Sequence, residues 1–209
     1  MLGLSVSNHV VKGLLRRLLA QGIEVRKKED IVEIKRNGQM LFKSGDKREA
    51  DVVIFGKGVR PTTQLLEGSG LECEWGIHVD ERQETFLKDI YAAGDCAETL
   101  DIVYRDRRCN ALWPTAVEPG HVAAMNMAGI PVAYPGSLGR NVMRVFEVSI
   151  FAAGTGKLDA PGSRCERGDG YYRKVVLDGG KLTGAIFVGA FENEGFYLNL
   201  MQRQLDVAP

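Results

Sequence analysis

Residues 85–95 carry the pattern with the clearest chemical use, Thr-Phe-Leu-Lys-Asp-Ile-Tyr-Ala-Ala-Gly-Asp. Small and apolar side chains at positions 90–93 predict a strand that ends at Gly94 and Asp95. Glycine lets another group approach the backbone closely, and open α/β sheets bind ligands at the carboxyl ends of their strands. A carboxylate at Asp95 can therefore accept hydrogen bonds from a sugar or ribityl hydroxyl. The alternative is that Asp95 only caps the next turn.

The elements that position this motif follow from periodicity and turn chemistry. Apolar residues at helical spacing predict helices at residues 10–19, 121–127 and 193–204, the first capped by Ser7, with a short helix at 63–67. The turn sequences Asn37-Gly38 and Asp178-Gly179-Gly180 each predict a hairpin. We expect loops at residues 106–108 and 157–170. We expect strands at residues 23–25, 31–35, 40–43, 50–55, 76–80, 89–93, 141–151, 171–177 and 181–188.

Composition and charge exclude several classes of protein. The 209 residues contain 27 basic and 27 acidic side chains, so no net charge attracts a nucleic acid or an anionic membrane. No apolar run is long enough for a transmembrane helix, and no secretory signal is visible. The four cysteines form no C-x-x-C pair. This spacing favours reduced thiols in the cytoplasm over disulfides or a metal site.

At residues 85–95 the chain resembles the second FAD motif of the pyridine nucleotide-disulfide oxidoreductases, a superfamily of flavoproteins with two dinucleotide-binding domains. Residues 50–61 resemble the last NAD-domain strand and its crossover to the FAD domain. Residues 110–116 and 123–129 resemble the helix that points at the flavin. The C-terminal residues resemble the interface domain of the NADH oxidase, rubredoxin reductase and nitrite reductase flavoprotein branch.

This resemblance implies an α/β fold: a partial two-dinucleotide-binding-domain flavoprotein with a C-terminal α+β interface domain. Residues 1–60 would be the second half of the NAD(P)H-binding domain. Residues 61–132 would be the second half of the FAD-binding domain, and residues 133–209 the interface domain. The implied cofactors are FAD and NAD(P)H, in the parent protein.

The resemblance also implies cofactor-binding residues. Asp95 would bond the ribityl chain of FAD, and Gly94 would allow that approach. Pro114, Thr115 and Ala116 would lie at the start of a helix whose dipole favours negative charge on the flavin. Because a proline inside a helix costs roughly 3 kcal/mol, Pro119 suggests that the helix starts nearer residue 117. No acid, base or nucleophile is identified.

Three further sets of side chains leave alternatives open. Cys96 adjoins the motif, where its thiol is either a small buried filler or a participant in chemistry. Trp113 is either a packing residue or a cover over the flavin edge. The basic run Arg105, Arg107 and Arg108 is either a solvated loop or a docking site for an acidic protein such as rubredoxin.

The implied activity is electron transfer from NAD(P)H through flavin to an acceptor, in a homodimer with a small redox protein as a possible acceptor. No G-x-G-x-x-G fingerprint occurs in the chain. We therefore expect a C-terminal portion of such an enzyme, inactive by itself. One alternative is a non-catalytic dimerisation or docking module derived from such an enzyme. Another is a chain that completes a cofactor site together with a second chain.

Overall fold

The structure is a computed structural model that describes residues 8–71, 73–155 and 160–207. The chain divides into two compact units, residues 8–58 and the residues from 59 onward. The sequence predicts three domains, and the structure divides the chain only once, near residue 58. The three-domain division therefore stays a prediction. Within the three described ranges, no helix combines the length and the apolar surface needed to cross a bilayer.

Residues 8–58 form a helix followed by a three-stranded antiparallel sheet. Helix α1 spans Asn8–Ala20, as its periodicity predicts, whereas its predicted cap, Ser7, lies outside the described residues. Gly22 has a φ of 75°, and the Ile23 N–H donates to the Leu18 carbonyl at 3.0 Å. This is the left-handed helix end that glycine favours. Three strands then pair in chain order: β1 (Ile31–Ile34), β2 (Gln39–Phe42) and β3 (Lys47–Glu49).

The Asn37-Gly38 turn joins β1 to β2, so the predicted hairpin is confirmed. Gly38 has a φ of 83°. A Cβ atom at this position would lie 2.7 Å from the Ala50 carbonyl oxygen. Both the backbone conformation and the close approach therefore require glycine.

Two strands predicted in this unit do not form. Residues 23–25 and 50–55 are irregular, and Val52, Ile54 and Phe55 are 74%, 89% and 65% exposed. A strand needs neighbours that supply N–H and C=O partners. In residues 50–55, the only backbone group with a hydrogen-bond partner among the described residues is the Ala50 N–H, which donates to the Gly38 carbonyl at 3.2 Å. The prediction of a strand buried on both faces is therefore wrong for this structure.

The larger unit begins with a small mixed sheet and a long helix. A 3-10 turn, Gln64–Leu66, replaces the short helix predicted at 63–67. The strands β4 (Ile77–His78), β5 (Ala97–Asp101) and β6 (Asp106–Arg108) form the sheet, with β4 parallel and β6 antiparallel to β5. Helix α2 spans Trp113–Met127. The predicted loop at 106–108 is thus a strand, because it pairs with β5.

The predicted strand at 89–93 does not form. Tyr91 makes a single bridge to Glu84, and the regular strand β5 follows Gly94 and Asp95 instead of preceding them. Gly94 and Asp95 therefore lie in a turn that leads into a strand.

The remaining residues form a five-stranded antiparallel sheet with one helix on it. The helix α3 spans Glu194–Arg203 and packs on β11 and β8. The order in the sheet is β7-β8-β11-β10-β9. The strands are β7 (Arg140–Val145), β8 (Val148–Gly154), β9 (Ser163–Gly168), β10 (Tyr171–Asp178) and β11 (Lys181–Val188).

The predicted β10–β11 hairpin and the predicted final helix are confirmed. The single strand predicted at 141–151 is wrong, because Phe146, with a φ of 53°, turns the chain between β7 and β8. The loop predicted at 157–170 contains β9, and its residues 157–159 lie outside the described ranges. The core between sheet and helix comprises Leu138, Phe151, Ala153, Leu182, Ala185, Phe187 and Met201.

Candidate functional site

The structure brings the two predicted parts of the cofactor site together. Gly94 adopts a φ of +87°, which non-glycine residues rarely take. A Cβ atom built on Gly94 would lie 3.9 Å from the Ala116 Cβ atom in the first turn of α2. No other atom of the described residues, apart from its chain neighbours, would come within 4 Å. The turn at Gly94 and Asp95 therefore lies beside the start of α2 and is open to an approaching group.

The Asp95 side chain is exposed. The turn itself is closed by the backbone, since the Ala97 N–H donates to the Gly94 carbonyl at 3.1 Å. Across the described part of the chain, no hydrogen bond or ion pair to the Asp95 carboxylate is present, so the capping alternative gains no support there. Both carboxylate oxygens can accept hydrogen bonds from a ligand.

Helix α2 begins at Trp113, with Leu112 as its N-cap and Pro114 in its first turn. The expectation that Pro119 moves the start toward residue 117 is wrong. Four buried side chains occur at spacings of four, three and one, and they form a single face of the helix: Thr115, Pro119, Val122 and Ala123. Burial of the Pro119 ring on this face offsets the backbone hydrogen bond that a proline cannot donate.

Pro114, Thr115 and Ala116 thus lie in the first helical turn, where the Ala116 N–H already donates to the carbonyl of the N-cap Leu112 at 3.0 Å and the Thr115 N–H is left for a ligand. Pro114 has no N–H to offer. The buried Thr115 hydroxyl lies within hydrogen-bond reach of the backbone carbonyls of Asn110 and Leu112, which share its single hydrogen. It is therefore occupied inside the protein, and a ligand can meet only the backbone at this position. The combined backbone dipoles favour an anionic group here.

Trp113 is 83% exposed, so it packs little against the described residues. A cover over the edge of a bound ring stays a prediction for this residue. The basic run near 105–108 also differs from a plain solvated loop. Arg108 lies over the Tyr104 ring, 3.8 Å from its centroid, and Arg107 donates to the Val79 carbonyl at 3.3 Å.

Four polar residues contribute to this region without having been singled out from the sequence. The buried Glu98 carboxylate accepts the Trp75 and Gly76 N–H groups at 3.0 and 2.7 Å, and its other oxygen lies 3.1 Å from His78 Nε2. The other three form one network: Asp101, Asn110 and Ser137. No local signal marks these residues, because their partners come from distant parts of the chain.

All four cysteines are free thiols, and two of them lie beside β5. The Cys96 and Cys109 Sγ atoms each lie 3.4 Å from a backbone carbonyl, of Ala93 and Ala97 respectively. Burial, with the nearby Glu98 carboxylate as a second cause, raises the pKa of Cys109 to about 12. The neutral thiol therefore dominates at physiological pH, which argues against Cys109 as a redox nucleophile. Within the described ranges, no group of His, Cys, Asp and Glu side chains has the arrangement of a metal site.

We expect Cys109 to react at least tenfold more slowly with iodoacetamide at pH 8 than the exposed Cys165. At pH 8 a pKa near 12 leaves about a thousandfold less thiolate than the ordinary cysteine pKa of 9.0 would. The greater nucleophilicity of a more basic thiolate recovers only part of that loss. Mass spectrometry of the alkylated peptides measures both rates, and Cys109→Ser identifies the slow peptide. Equal rates at the two cysteines would show that the thiol at 109 is not buried as described.

Comparison with known proteins places this geometry in a family. A family model described as pyridine nucleotide-disulphide oxidoreductase matches residues 5–120. This match covers more than half of the chain and includes Gly94, Asp95 and the first turn of α2. The chain belongs to the pyridine nucleotide-disulphide oxidoreductase family.

Two curated relatives are about one third identical to the chain. The NAD(P)H nitrite reductase of Bacillus subtilis (strain 168) is 32% identical over 184 residues, which cover 86% of this chain and 22% of the relative. An NADH oxidase of Methanocaldococcus jannaschii is 30% identical over 139 residues, 65% of this chain and 31% of the relative. The chain thus spans a fifth to a third of the length of these two relatives.

The fold is shared with a solved flavoprotein. An FAD-dependent pyridine nucleotide-disulphide oxidoreductase from Desulfovibrio vulgaris superposes with a TM-score of 0.80 at 22% identity. The superposition covers 96% of this chain and 55% of that protein. At this identity the likeness supports the fold alone.

Proposed function

We propose that the protein is an FAD-dependent NAD(P)H oxidoreductase and that residues 94–95 and 114–116 form part of its flavin site. One observation carries the proposal: an open glycine lies beside the first turn of a helix and is followed directly by an exposed carboxylate, in a chain of this family. Flavin would supply the hydride and electron chemistry, and the protein would hold and tune it.

The residues present fit this part of FAD. The Asp95 carboxylate can accept hydrogen bonds from ribityl hydroxyls, and such charge-assisted bonds are the stronger kind. Gly94 leaves open the space that a Cβ atom would fill. The first turn of α2 presents the Thr115 N–H group and the positive end of the helix dipole, which favour negative charge nearby. We propose no acid, base or nucleophile among the described side chains.

The proposal is tested on the protein expressed from its natural gene. We expect about one FAD per chain after purification with added FAD, and bleaching of the flavin absorbance on anaerobic addition of NADH or NADPH. Titration with each nucleotide in turn identifies the preferred electron donor. Protein that is folded by circular dichroism yet stays colourless with excess FAD would contradict the proposal.

A second candidate is a dimerisation or docking module derived from such an enzyme. It is favoured by the apolar side chains that the smaller unit exposes, Val52, Ile54 and Phe55. Apolar surface of this kind is usually covered by another protein surface. The same purification separates the two candidates, because a colourless dimer in sedimentation supports the module. A yellow protein whose flavin NAD(P)H reduces supports the enzyme, for which we also propose a cytoplasmic homodimer and a small redox protein as acceptor.

A further inference from the structure

A buried polar network lies directly behind the start of α2. Asp101, the last residue of β5, and Ser137 are each 1% exposed. One Asp101 oxygen accepts the backbone N–H groups of Val103 and Tyr104 at 2.9 and 3.0 Å. Its other oxygen accepts the Asn110 Nδ2 group at 2.8 Å. The buried carboxylate thus accepts from three donors: two are backbone N–H groups, and the third is the side chain of Asn110.

Asn110 connects this carboxylate to a second buried group. Its Nδ2 atom also donates to the Ser137 Oγ atom at 2.8 Å. An amide nitrogen carries two hydrogens, so each can serve one of these acceptors. Neither contact is available to an alanine or a leucine at position 110.

Asn110 also holds the first residues of α2 through its backbone carbonyl. That carbonyl accepts the Leu112 N–H at 2.8 Å and the buried Thr115 hydroxyl. The side chain of Asn110 is therefore fixed to the core, while its main chain is bonded to the N-cap and the first turn of the helix. No other residue in the described part of the chain joins Asp101 to the start of α2 by hydrogen bonds.

The opposite side of the network is held by backbone hydrogen bonds and a close side-chain fit. The Ser137 N–H donates to the Leu100 carbonyl at 2.7 Å, and the Ile102 N–H donates to the Ser137 carbonyl at 3.0 Å. A Cβ atom at Gly136 would lie 2.6 Å from an Ile102 methyl carbon. The segment that leads into β7 is therefore fitted closely to β5, and Asn110 bonds the helix start to this fixed support.

We propose that Asn110 is a positioning residue that sets the helix start of α2 against the flavin, with Asp101 and Ser137 as its anchors. The inference rests on the proposed function, since it assigns the network to the same cofactor site. The dipole effect of a helix acts within its first turn, and misplacement of a site by about 1 Å can cost up to about a hundredfold in function. Loss of the Asn110 side-chain hydrogen bonds should therefore weaken FAD binding and shift the flavin reduction potential.

The test uses the complete protein and measures the FAD dissociation constant and the flavin reduction potential. We expect Asn110→Ala to raise the dissociation constant about tenfold and to move the potential, because the helix start loses its side-chain anchor. The exchange Asp101→Asn with Asn110→Asp should recover most of the affinity. The amide introduced at 101 can accept the two backbone N–H groups and donate to the carboxylate introduced at 110.

Asn126→Ala is the matched control. Its Nδ2 atom donates to the carbonyls of Val122 and Val132 at 2.9 and 2.7 Å. It is as well bonded as Asn110 but lies about 20 Å along the same helix from Trp113. We expect Asn126→Ala to lower the melting temperature while FAD affinity and potential stay unchanged. Equal loss of affinity in both alanine variants would overturn the inference, because the effect would then be general destabilisation.

The remaining outcomes separate the inference from the proposed function. Unchanged affinity and potential in Asn110→Ala would overturn the inference and leave the flavin assignment standing. A wild-type protein that binds no FAD would overturn both. If Asn110→Ala does not fold, Ser137→Ala removes one hydroxyl and keeps the Asp101–Asn110 bond. It should show a smaller change in the same direction, and no change in this variant would overturn the inference.

Discussion

Replacement of Asp95 by alanine is expected to weaken FAD binding by about ten- to a hundredfold while the fold is retained. A hydrogen bond to a charged acceptor contributes roughly 1.5–3 kcal/mol, and each 1.4 kcal/mol is about a factor of ten in affinity. The exposed Asp95 carboxylate has no protein partner in the described ranges. Its removal should therefore leave the melting temperature of the apoprotein nearly unchanged. Asp95→Asn should have a smaller effect, because the amide oxygen still accepts.

Flavin titration of the complete protein, beside a melting curve of each variant, measures both expectations. Asp169→Ala is a matched control, because it removes an exposed carboxylate from the turn between β9 and β10 of the same unit. It should leave FAD affinity unchanged. A large fall in melting temperature with unaltered flavin affinity in Asp95→Ala would mean that Asp95 has a structural role, and the assignment of this turn to the cofactor would fail.

The second large effect is expected in the core of the five-stranded sheet. Phe151→Ala should lower the free energy of unfolding by about 3–5 kcal/mol, as large-to-small aromatic substitutions in cores do. Phe151 is 0% exposed. Its ring lies 5.4 Å from the ring of Phe187 and 6.0 Å from that of Phe191, between centroids. Such pairs add stability beyond the buried area.

Urea unfolding measures this loss, with Phe196→Ala as the control. Phe196 is 60% exposed and has an aromatic neighbour, Tyr197, at 5.7 Å between centroids. Its truncation should cost about 1 kcal/mol or less. Similar losses in the two variants would show that Phe151 is not at the centre of the core. Because Phe151 is outside the candidate flavin site, its variant should bind FAD normally wherever it remains folded.

Elements whose signals are local could be predicted from the sequence. The β1–β2 and β10–β11 hairpins depend on turn residues that take positive φ, and Gly38, Gly179 and Gly180 do so. The helices α1 and α3 follow from apolar residues at helical spacing. In each case the determining residues are a few positions apart, so that propensity and pattern agree.

Elements that depend on distant partners could not be predicted. Residues 106–108 form a strand because they pair with β5, whereas residues 50–55 stay irregular because no neighbouring strand pairs with them in the described part of the chain. The sequence places the start of α2 nearer residue 117 than the observed Trp113. The reason is that burial of the Pro119 ring offsets the cost of a proline inside the helix, and that burial depends on tertiary packing. The identity of a residue does not reveal these neighbours.

The same division holds at the candidate site. The sequence alone determined that Gly94 precedes Asp95, that a helix follows, and that the order of motifs resembles one family of flavoproteins. Only the tertiary structure decided that Gly94 lies against Ala116 and that Asn110 bonds both Asp101 and Ser137. Those contacts join segments 9 to 27 positions apart. Their formation depends on the pairing of β4, β5 and β6 and on the seating of α2, which no local pattern of residue types specifies.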